Sequence, residues 1–340
     1  MAVMVSGGAG YIGSHAVKRL LETGRRVIAV DSLVRGHREA IDALIPIADG
    51  RLTFVQADTG ERKRLAGVMR DEGVDTVMHF AALAYVGESV TEPLRYYRAN
   101  TASALGLLEA CDDVGVERFV FSSTCATYGE PPRVPMDEQT PQAPVSPYGV
   151  SKLHVEHILR DYAEACRMNG KRFGYAALRY FNVAGADPDG LLGEDHEPET
   201  HLIPVVIQAA LGRRASISIF GTDYDTHDGT CIRDYVHVCD LVEAHIAVLD
   251  ALQPGDERRY NLGIGRGYTV REVIESVRRV SGASFEVVEA DRRPGDPAAL
   301  FADPSRIEEE LGWSARFTDL DEIVRTAWDW LKAHPNGYAG

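Results

Sequence analysis

The chain has 340 residues, 45% hydrophobic and 26% charged, with a formal net charge of −15. That length exceeds the usual single domain, and the composition is that of an ordinary globular protein. The negative balance speaks against a nucleic-acid partner, whose phosphates would be repelled, but a nucleotide ligand needs only a few placed cations and helix N-termini.

No apolar run approaches the ~18–20 residues that span a bilayer, so no membrane association is expected. Residues 1–6 lack a basic leader and run straight into a glycine loop, which reads as a cytoplasmic protein. Cys111, Cys125, Cys166, Cys231 and Cys239 form no C-x-x-C pair and are odd in number. They read as reduced, mainly buried thiols, with neither a disulfide framework nor a metal site.

Apolar, β-branched runs predict strands over 2–6, 26–31, 52–56, 76–80, 118–122 and 175–179. Helical patterns over 11–23, 62–72, 99–114 and 147–168 lie between them. Near-continuous apolar strands alternating with helices predict an α/β fold, a Rossmann-like doubly wound parallel sheet covered on both faces. Beyond Asn182 the alternation breaks, and 186–200, rich in Gly, Pro, Asp and Glu, reads as a long loop. The expectation is a dinucleotide domain over 1–182 and a smaller α/β substrate domain over 183–340, with segments near 230–265 free to rejoin the first.

Ser6-Gly7-Gly8-Ala9-Gly10-Tyr11-Ile12-Gly13 joins the first strand to the first helix. Its glycines allow a tight turn, close backbone approach to a pyrophosphate, and close helix–sheet packing. Eighteen residues after Gly13, Asp31 ends the second strand. A carboxylate there accepts from the adenosine ribose and repels a 2′-phosphate, which favours NAD over NADP. Arg35 is the one nearby feature that would suit a 2′-phosphate.

Tyr148-Gly149-Val150-Ser151-Lys152 opens the 147–168 helix and stacks Tyr148 and Lys152 on one face. A phenol with pKa ~10 is a poor base at neutral pH unless a neighbouring cation favours the phenolate. With 14 tyrosines and five lysines (Lys18, Lys63, Lys152, Lys171, Lys332), chance predicts about 0.2 such pairs. Upstream, Ser122-Ser123-Thr124 ends a predicted strand, at the sheet edge where ligands bind. Thr124 is placed to hold a substrate hydroxyl and relay its proton to Tyr148.

Glycine loop, Ser/Thr cluster and Tyr-x-x-x-Lys in this order resemble the extended short-chain dehydrogenase/reductase family. Further segments resemble its UDP-galactose (UDP-glucose) 4-epimerase branch: His79-Phe80-Ala81-Ala82, Val86-Gly87-Glu88-Ser89, Arg179-Tyr180-Phe181-Asn182, Gly193-Glu194-Asp195, Leu202-Ile203-Pro204, Ile219-Phe220-Gly221, Asp228-Gly229-Thr230 and Arg233-Asp234-Tyr235-Val236-His237. The resemblance spans almost the whole chain. It implies an NAD that is used but not consumed: Tyr148, helped by Thr124, removes the 4-hydroxyl proton while hydride leaves C4, and the 4-keto sugar turns over before hydride returns. It also adds Asp58, Phe80, Ala81, Ser122 and Tyr180 to the cofactor site. Asn182, Arg233 and Arg293 fall to the UDP diphosphate, Phe220, Tyr235 and Asp296 to the region of the uridine, and Leu202 to the substrate pocket. A homodimer is implied through helices that include 99–114 and the one bearing Tyr148.

Two positions depart from the branch: Thr124 stands where many members carry Ser, and Ala84 where some carry Lys. Three other readings stay open. A nucleotide-sugar dehydratase resembles Thr-Asp-Glu where this chain has Thr124-Cys125-Ala126. Leu300 occupies the position that gates a bulky C2 group, and its small size leaves UDP-N-acetylhexosamine or UDP-glucuronate epimerisation open. A non-catalytic NAD-binding protein usually lacks the Tyr/Lys pair.

Overall fold

The structure is a computed structural model that describes residues 2–293 and 296–339. Its described residues form two compact units. The first comprises Met1–Gly129, Pro141–Arg179 and Val242–Tyr260, and the second Glu130–Thr140, Tyr180–Leu241 and Asn261–Gly340.

The first unit runs β1 (Ala2–Ser6), α1 (Tyr11–Glu22), β2 (Arg26–Asp31), α2 (Arg38–Asp42), α3 (Ile45–Ala48), β3 (Leu52–Gln56), α4 (Arg62–Glu72) and β4 (Val74–His79). It continues through α5 (Val86–Thr91), α6 (Pro93–Tyr96), a π-helical stretch (Tyr97–Ala102), α7 (Ser103–Val114), β5 (Arg118–Thr124), α8 (Pro147–Met168) and β6 (Gly174–Tyr180). The predicted 99–114 helix is therefore two pieces, wide-wound to Ala102 and α-helical from Ser103. The predicted 76–80 strand begins earlier, at Val74, and ends at His79.

Seven strands make one sheet in the order β11-β6-β5-β4-β1-β2-β3, where β11 is Glu257–Leu262. The pairs β1–β2, β1–β4, β2–β3 and β4–β5 are parallel. Chain order reverses direction between β1 and β4, and in such sheets the crevice at that reversal takes ligands. Met4, Ile28, Val77, Leu107, Phe119 and Leu159 fuse strands and helices into one core. α8 starts sharply because Ser146 accepts the Gly149 N–H (3.2 Å) and Pro147 carries the helical φ without needing an N–H.

The second unit holds β7 (Asn182–Ala184), α9 (Leu202–Ala210), β8 (Ser216–Phe220), β9 (Ile232–Arg233), β10 (Tyr235–His237) and the start of α10 (Val238–Ala251). After β11 come β12 (Tyr268–Thr269), α11 (Val270–Ser281), β13 (Glu286–Ala290), β14 (Ala299–Leu300), α12 (Ser305–Leu311) and α13 (Leu320–Ala333). Its core gathers Ile203, Ile207, Ile217, Val273, Ile323 and Trp330. Residues 186–200 contain neither helix nor strand. Among the described residues no helix is long and apolar enough to cross a membrane.

Candidate active site

In the first unit the glycine loop follows β1 and Phe80 and Ala81 follow β4, on the two sides of the chain reversal. Gly7 turns with φ +75°, and a Cβ at Gly13 would lie 2.0 Å from the Gly7 carbonyl oxygen, so α1 begins hard against the loop. No side chain caps α1 at Gly10, and its first turn holds no acidic residue. Helix start and dipole are thus left for an anion. Tyr11 and Ile12 lie in that first turn.

Asp31 is buried at the end of β2, and its carboxylate accepts the Ala9 N–H (3.0 Å) and the Leu33 N–H (2.8 Å). Burial raises its pKa, against those two bonds. The carboxylate therefore braces the loop and retains lone pairs for a ribose. Arg35 is engaged elsewhere, 3.1 Å from Glu88 and over the Tyr85 ring. The cradle fits a dinucleotide without a 2′-phosphate. Asp58 accepts from Gly60 N–H (2.7 Å) and Ser103 Oγ (3.1 Å), while Phe80 leans on His245 with ring centres 4.9 Å apart. Asp31→Ala is expected to weaken NAD binding about 10–100-fold, as the loss of charge-assisted hydrogen bonds implies. Cofactor released on denaturation reads this out, and retention at the normal level would remove Asp31 from the ribose site.

Thr124 closes β5, and its Oγ1 accepts the Ala126 N–H at 3.1 Å, starting the short 3₁₀ turn Cys125–Thr127. α8 presses on that turn: a Cβ at Gly149 would come within 2.5 Å of the Ala126 carbonyl. This contact brings Tyr148 beside the strand end, where its ring packs with Leu83, Tyr96 and Ala126. One turn on, buried Lys152 donates from Nζ to the Ser122 carbonyl (2.9 Å), and its ammonium lies 5.0 Å from the Phe121 ring centre. Burial pulls its pKa down to about 7. An anion beside Nζ, such as a phenolate, offsets that desolvation.

Several supporting groups escape a reading of the sequence. Buried Asn100, on the π-helical stretch, donates to the Leu83 carbonyl and Ser151 Oγ, both at 3.0 Å, and accepts the Leu83 N–H at 2.8 Å. It ties the segment after β4 to α8. Glu156 continues the Tyr148–Lys152 face and meets Arg179 of β6 through two bonds, Nε to Oε1 (3.0 Å) and Nη2 to Oε2 (2.5 Å). Ser123 Oγ (2.5 Å) and Gln142 Nε2 (3.2 Å) also donate to Glu156, and Arg179 Nη1 donates to the Tyr128 hydroxyl (2.9 Å).

His79, with Nδ1 2.7 Å from Ser6 Oγ, is held neutral: burial first, and the Lys152 charge second, push its pKa down to about 3. An unfolded histidine titrates near 6.5, so the folded chain binds fewer protons between the two values. Its contribution is full above pH ~6.5 and is lost as pH falls toward 3. His79→Gln is expected to flatten that limb of stability against pH in urea titrations. An unaltered limb would assign acid sensitivity to other groups.

In the second unit, Arg233 on β9 pairs with the Asp296 carboxylate, and Leu300 on β14 is in register with Arg233. Arg293 lies 3.9 Å above the Phe220 ring centre, and Arg292 lies 4.1 Å above that of Tyr224. Pro294 and Gly295 lie outside the described residues. A cleft of about 640 Å³ is lined by Arg133, Tyr224, Arg292, Arg293, Asp296 and Ala299 among others. The three guanidiniums of this lining match the geometry of a diphosphate. Asn182 and Tyr235 are paired across β7 and β10, with the Tyr235 ring in the core and Leu202 packed at its edge. Tyr180 ends β6, and Asn182 follows two residues on.

Residues 3–263 match the NAD dependent epimerase/dehydratase family. A UDP-glucose 4-epimerase of Azospirillum brasilense is 50% identical over 332 residues, covering 97% of this chain and 92% of that protein. The crystal structure of UDP-glucose 4-epimerase from Bifidobacterium longum in complex with NAD+ and UDP superposes with a TM-score of 0.93 at 39% identity, over 99% of this chain and 100% of the other. The UDP-Glc/GlcNAc 4-epimerase of Campylobacter jejuni superposes at 0.84 with 42% identity, over 98% and 99%. With the glycine cradle, the Asp31 brace and the Tyr148–Lys152 face in place, the chain belongs to the NAD-dependent epimerase/dehydratase family.

Proposed function

We propose that the chain interconverts UDP-glucose and UDP-galactose by epimerisation at C4, with NAD as a resident cofactor. The observation that carries this is Tyr148 and Lys152 on one buried face of α8, pressed against the turn that Thr124 begins. When bound, NAD accepts hydride from the sugar and gives it back. The chain's own part is proton handling and restraint. Tyr148, as the phenolate that the Lys152 charge favours, takes the 4-hydroxyl proton and becomes the phenol, and Thr124, whose oxygen is already aligned by Ala126, holds the sugar oxygen. Proton return from Tyr148 to the same oxygen closes the cycle from either face of the 4-keto sugar.

Glycine loop, Asp31, Asp58, Phe80, Ala81, Ser122 and Tyr180 are assigned to NAD. Asn182, Leu202, Phe220, Arg233, Tyr235, Arg293, Asp296 and Leu300 are assigned to the UDP-sugar. Of these, Arg293 and Asp296 line the arginine-rich cleft, which supports a nucleotide there. Leu300 keeps a 2-acetamido substrate within this reading, as the Campylobacter jejuni relative's substrates suggest. A homodimer belongs to the proposal because Val90 on α5, Leu94 on α6 and Leu105 on α7 expose apolar side chains, Leu94 at 79%. Leu94→Arg is expected to halve the mass measured by light scattering, and a wild-type chain already monomeric would remove the dimer. Five free thiols support a reducing, cytoplasmic setting.

An NMR time course without added NAD tests the activity, with UDP-galactose, UDP-N-acetylgalactosamine and UDP-galacturonate in separate tubes. Approach to the UDP-glucose equilibrium is expected in the first, and the other two rates read the width allowed by Leu300. Failure in all three, even with NAD supplied, would overturn the proposal.

A further inference from the structure

Just before Leu202, and using none of the residues assigned above, the second unit gathers Glu194, His196, Glu199 and His201 so closely that one donor atom from each lies within 4.8 Å of all the others. His201 Nδ1 is 2.8 Å from Glu194 Oε1 and 3.1 Å from Glu199 Oε1. His196 Nδ1 is 3.1 Å from the same Glu194 oxygen and 3.7 Å from Glu199 Oε2. Bonds of ~2.0–2.1 Å from one tetrahedral ion give ligand-to-ligand edges of about 3.3–3.4 Å, and the observed distances, which involve both Glu199 oxygens, run from 2.8 to 3.7 Å.

We propose that these four side chains form a structural site for a borderline divalent transition-metal ion of the zinc type. Two imidazole nitrogens and two carboxylate oxygens suit zinc, and the nitrogens disfavour calcium or magnesium. Charge argues the same way. Glu194 and Glu199 are only 6% and 9% exposed, and two buried carboxylates need two positive charges nearby. A divalent ion with two neutral imidazoles balances them without protonating either ring. Outer contacts hold one ligand in place, since Glu199 Oε1 accepts the N–H groups of Thr200 (2.6 Å) and His201 (2.7 Å).

Four protein donors leave no open position, so the ion acts as a clasp and not as a Lewis acid. It fastens the irregular 186–200 segment to His201, the residue that caps the start of α9. Cysteine spacing could not have announced the site, because its ligands are the Glu and His of Glu194-Asp195-His196-Glu197-Pro198-Glu199-Thr200-His201.

The test uses purified full-length protein, stripped with a chelator and reloaded with zinc chloride alone. About one zinc per chain is expected by elemental analysis, with Glu194→Gln and His201→Asn each binding at least about tenfold more weakly. His227→Asn, at the exposed pair with Glu272, should bind as wild type. X-ray absorption on the wild-type zinc form, which needs no variant to fold, should show imidazole and oxygen neighbours and no sulfur. Uptake below about a tenth of an equivalent, a sulfur shell, or full binding by both Glu194→Gln and His201→Asn would each overturn the site.

Discussion

Tyr148→Phe is expected to lower kcat about 10³-fold while leaving bound NAD and the fold intact. The ring stays where Leu83, Tyr96 and Ala126 hold it, and the α8 start rests on Ser146 and Pro147, so only one hydroxyl is lost. General acid–base catalysis contributes roughly 10²–10⁴-fold, and about 10³ corresponds to ~4 kcal/mol of barrier. Lys152→Met should fall comparably in rate, but with a shifted pH profile, because it removes the charge that favours the phenolate and keeps the hydroxyl. The NMR assay gives both rates, and the nicotinamide absorbance of the purified protein reports cofactor content. A Tyr148→Phe chain that retained a tenth or more of its turnover would move the proton to another group, with Thr124 the first to examine.

Glu156→Gln is expected to destabilise the chain by about 3–5 kcal/mol, the usual consequence of removing one partner from a buried ion pair. Arg179 is 2% exposed and Glu156 4%, so water cannot substitute for the lost charge. Arg179 would keep its contact with the Tyr128 hydroxyl but remain a buried, uncompensated cation. Glutamine preserves shape and the Ser123 contact through Oε1, but its amide nitrogen then faces the Arg179 Nη2 and Gln142 Nε2 donors, so the cost combines lost charge with lost acceptors. Glu156→Leu combined with Arg179→Met should recover much of the loss, since replacing a whole buried pair by apolar groups is often neutral. Urea titrations measure all three. A Glu156→Gln cost below about 1 kcal/mol would mean the pair is hydrated in solution.

The direction of the Glu156 pKa makes a linked statement about acid. Burial alone would raise it, yet Arg179 and two further hydrogen-bond donors, Ser123 and Gln142, hold it below the ordinary carboxylate value. Its contribution is present above pH ~4.5 and is lost as pH falls through the folded value. His79 loses its contribution in a higher window, so the two groups act in sequence as acid is added.

Much of this architecture is legible from local chemistry. β1, β2 and β3 fall where apolar runs place them, and the glycine loop and the Tyr148–Lys152 pair are short motifs whose spacing is their geometry. What escapes is what depends on partners far along the chain. Glu156 looks like a solvated position on an amphipathic helix until Arg179, 23 residues away, is seen beneath it. Asn100 sits in a run with ordinary helical periodicity, and nothing local signals the wider π winding that turns it toward Leu83 and Ser151. Glu130–Thr140 joins the second unit through Met136, whose N–H donates to Phe301 and whose carbonyl accepts from Asp303, contacts no composition shift announces. The short helices α2, α3, α5 and α6 have four to six residues and no side-chain cap, too little for a periodic pattern.

The order in which the ribosome delivers the first unit sets a hazard during synthesis. β6 is complete at Tyr180, but its outer neighbour β11 begins only at Glu257. Through the intervening 76 residues a nearly all-buried strand presents an open edge, the feature through which nascent chains pair with one another. Fragments ending just after Tyr180 should therefore aggregate, whereas fragments extending past Leu262 should stay dispersed. Rescue by a chaperone is expected to be needed chiefly in that interval.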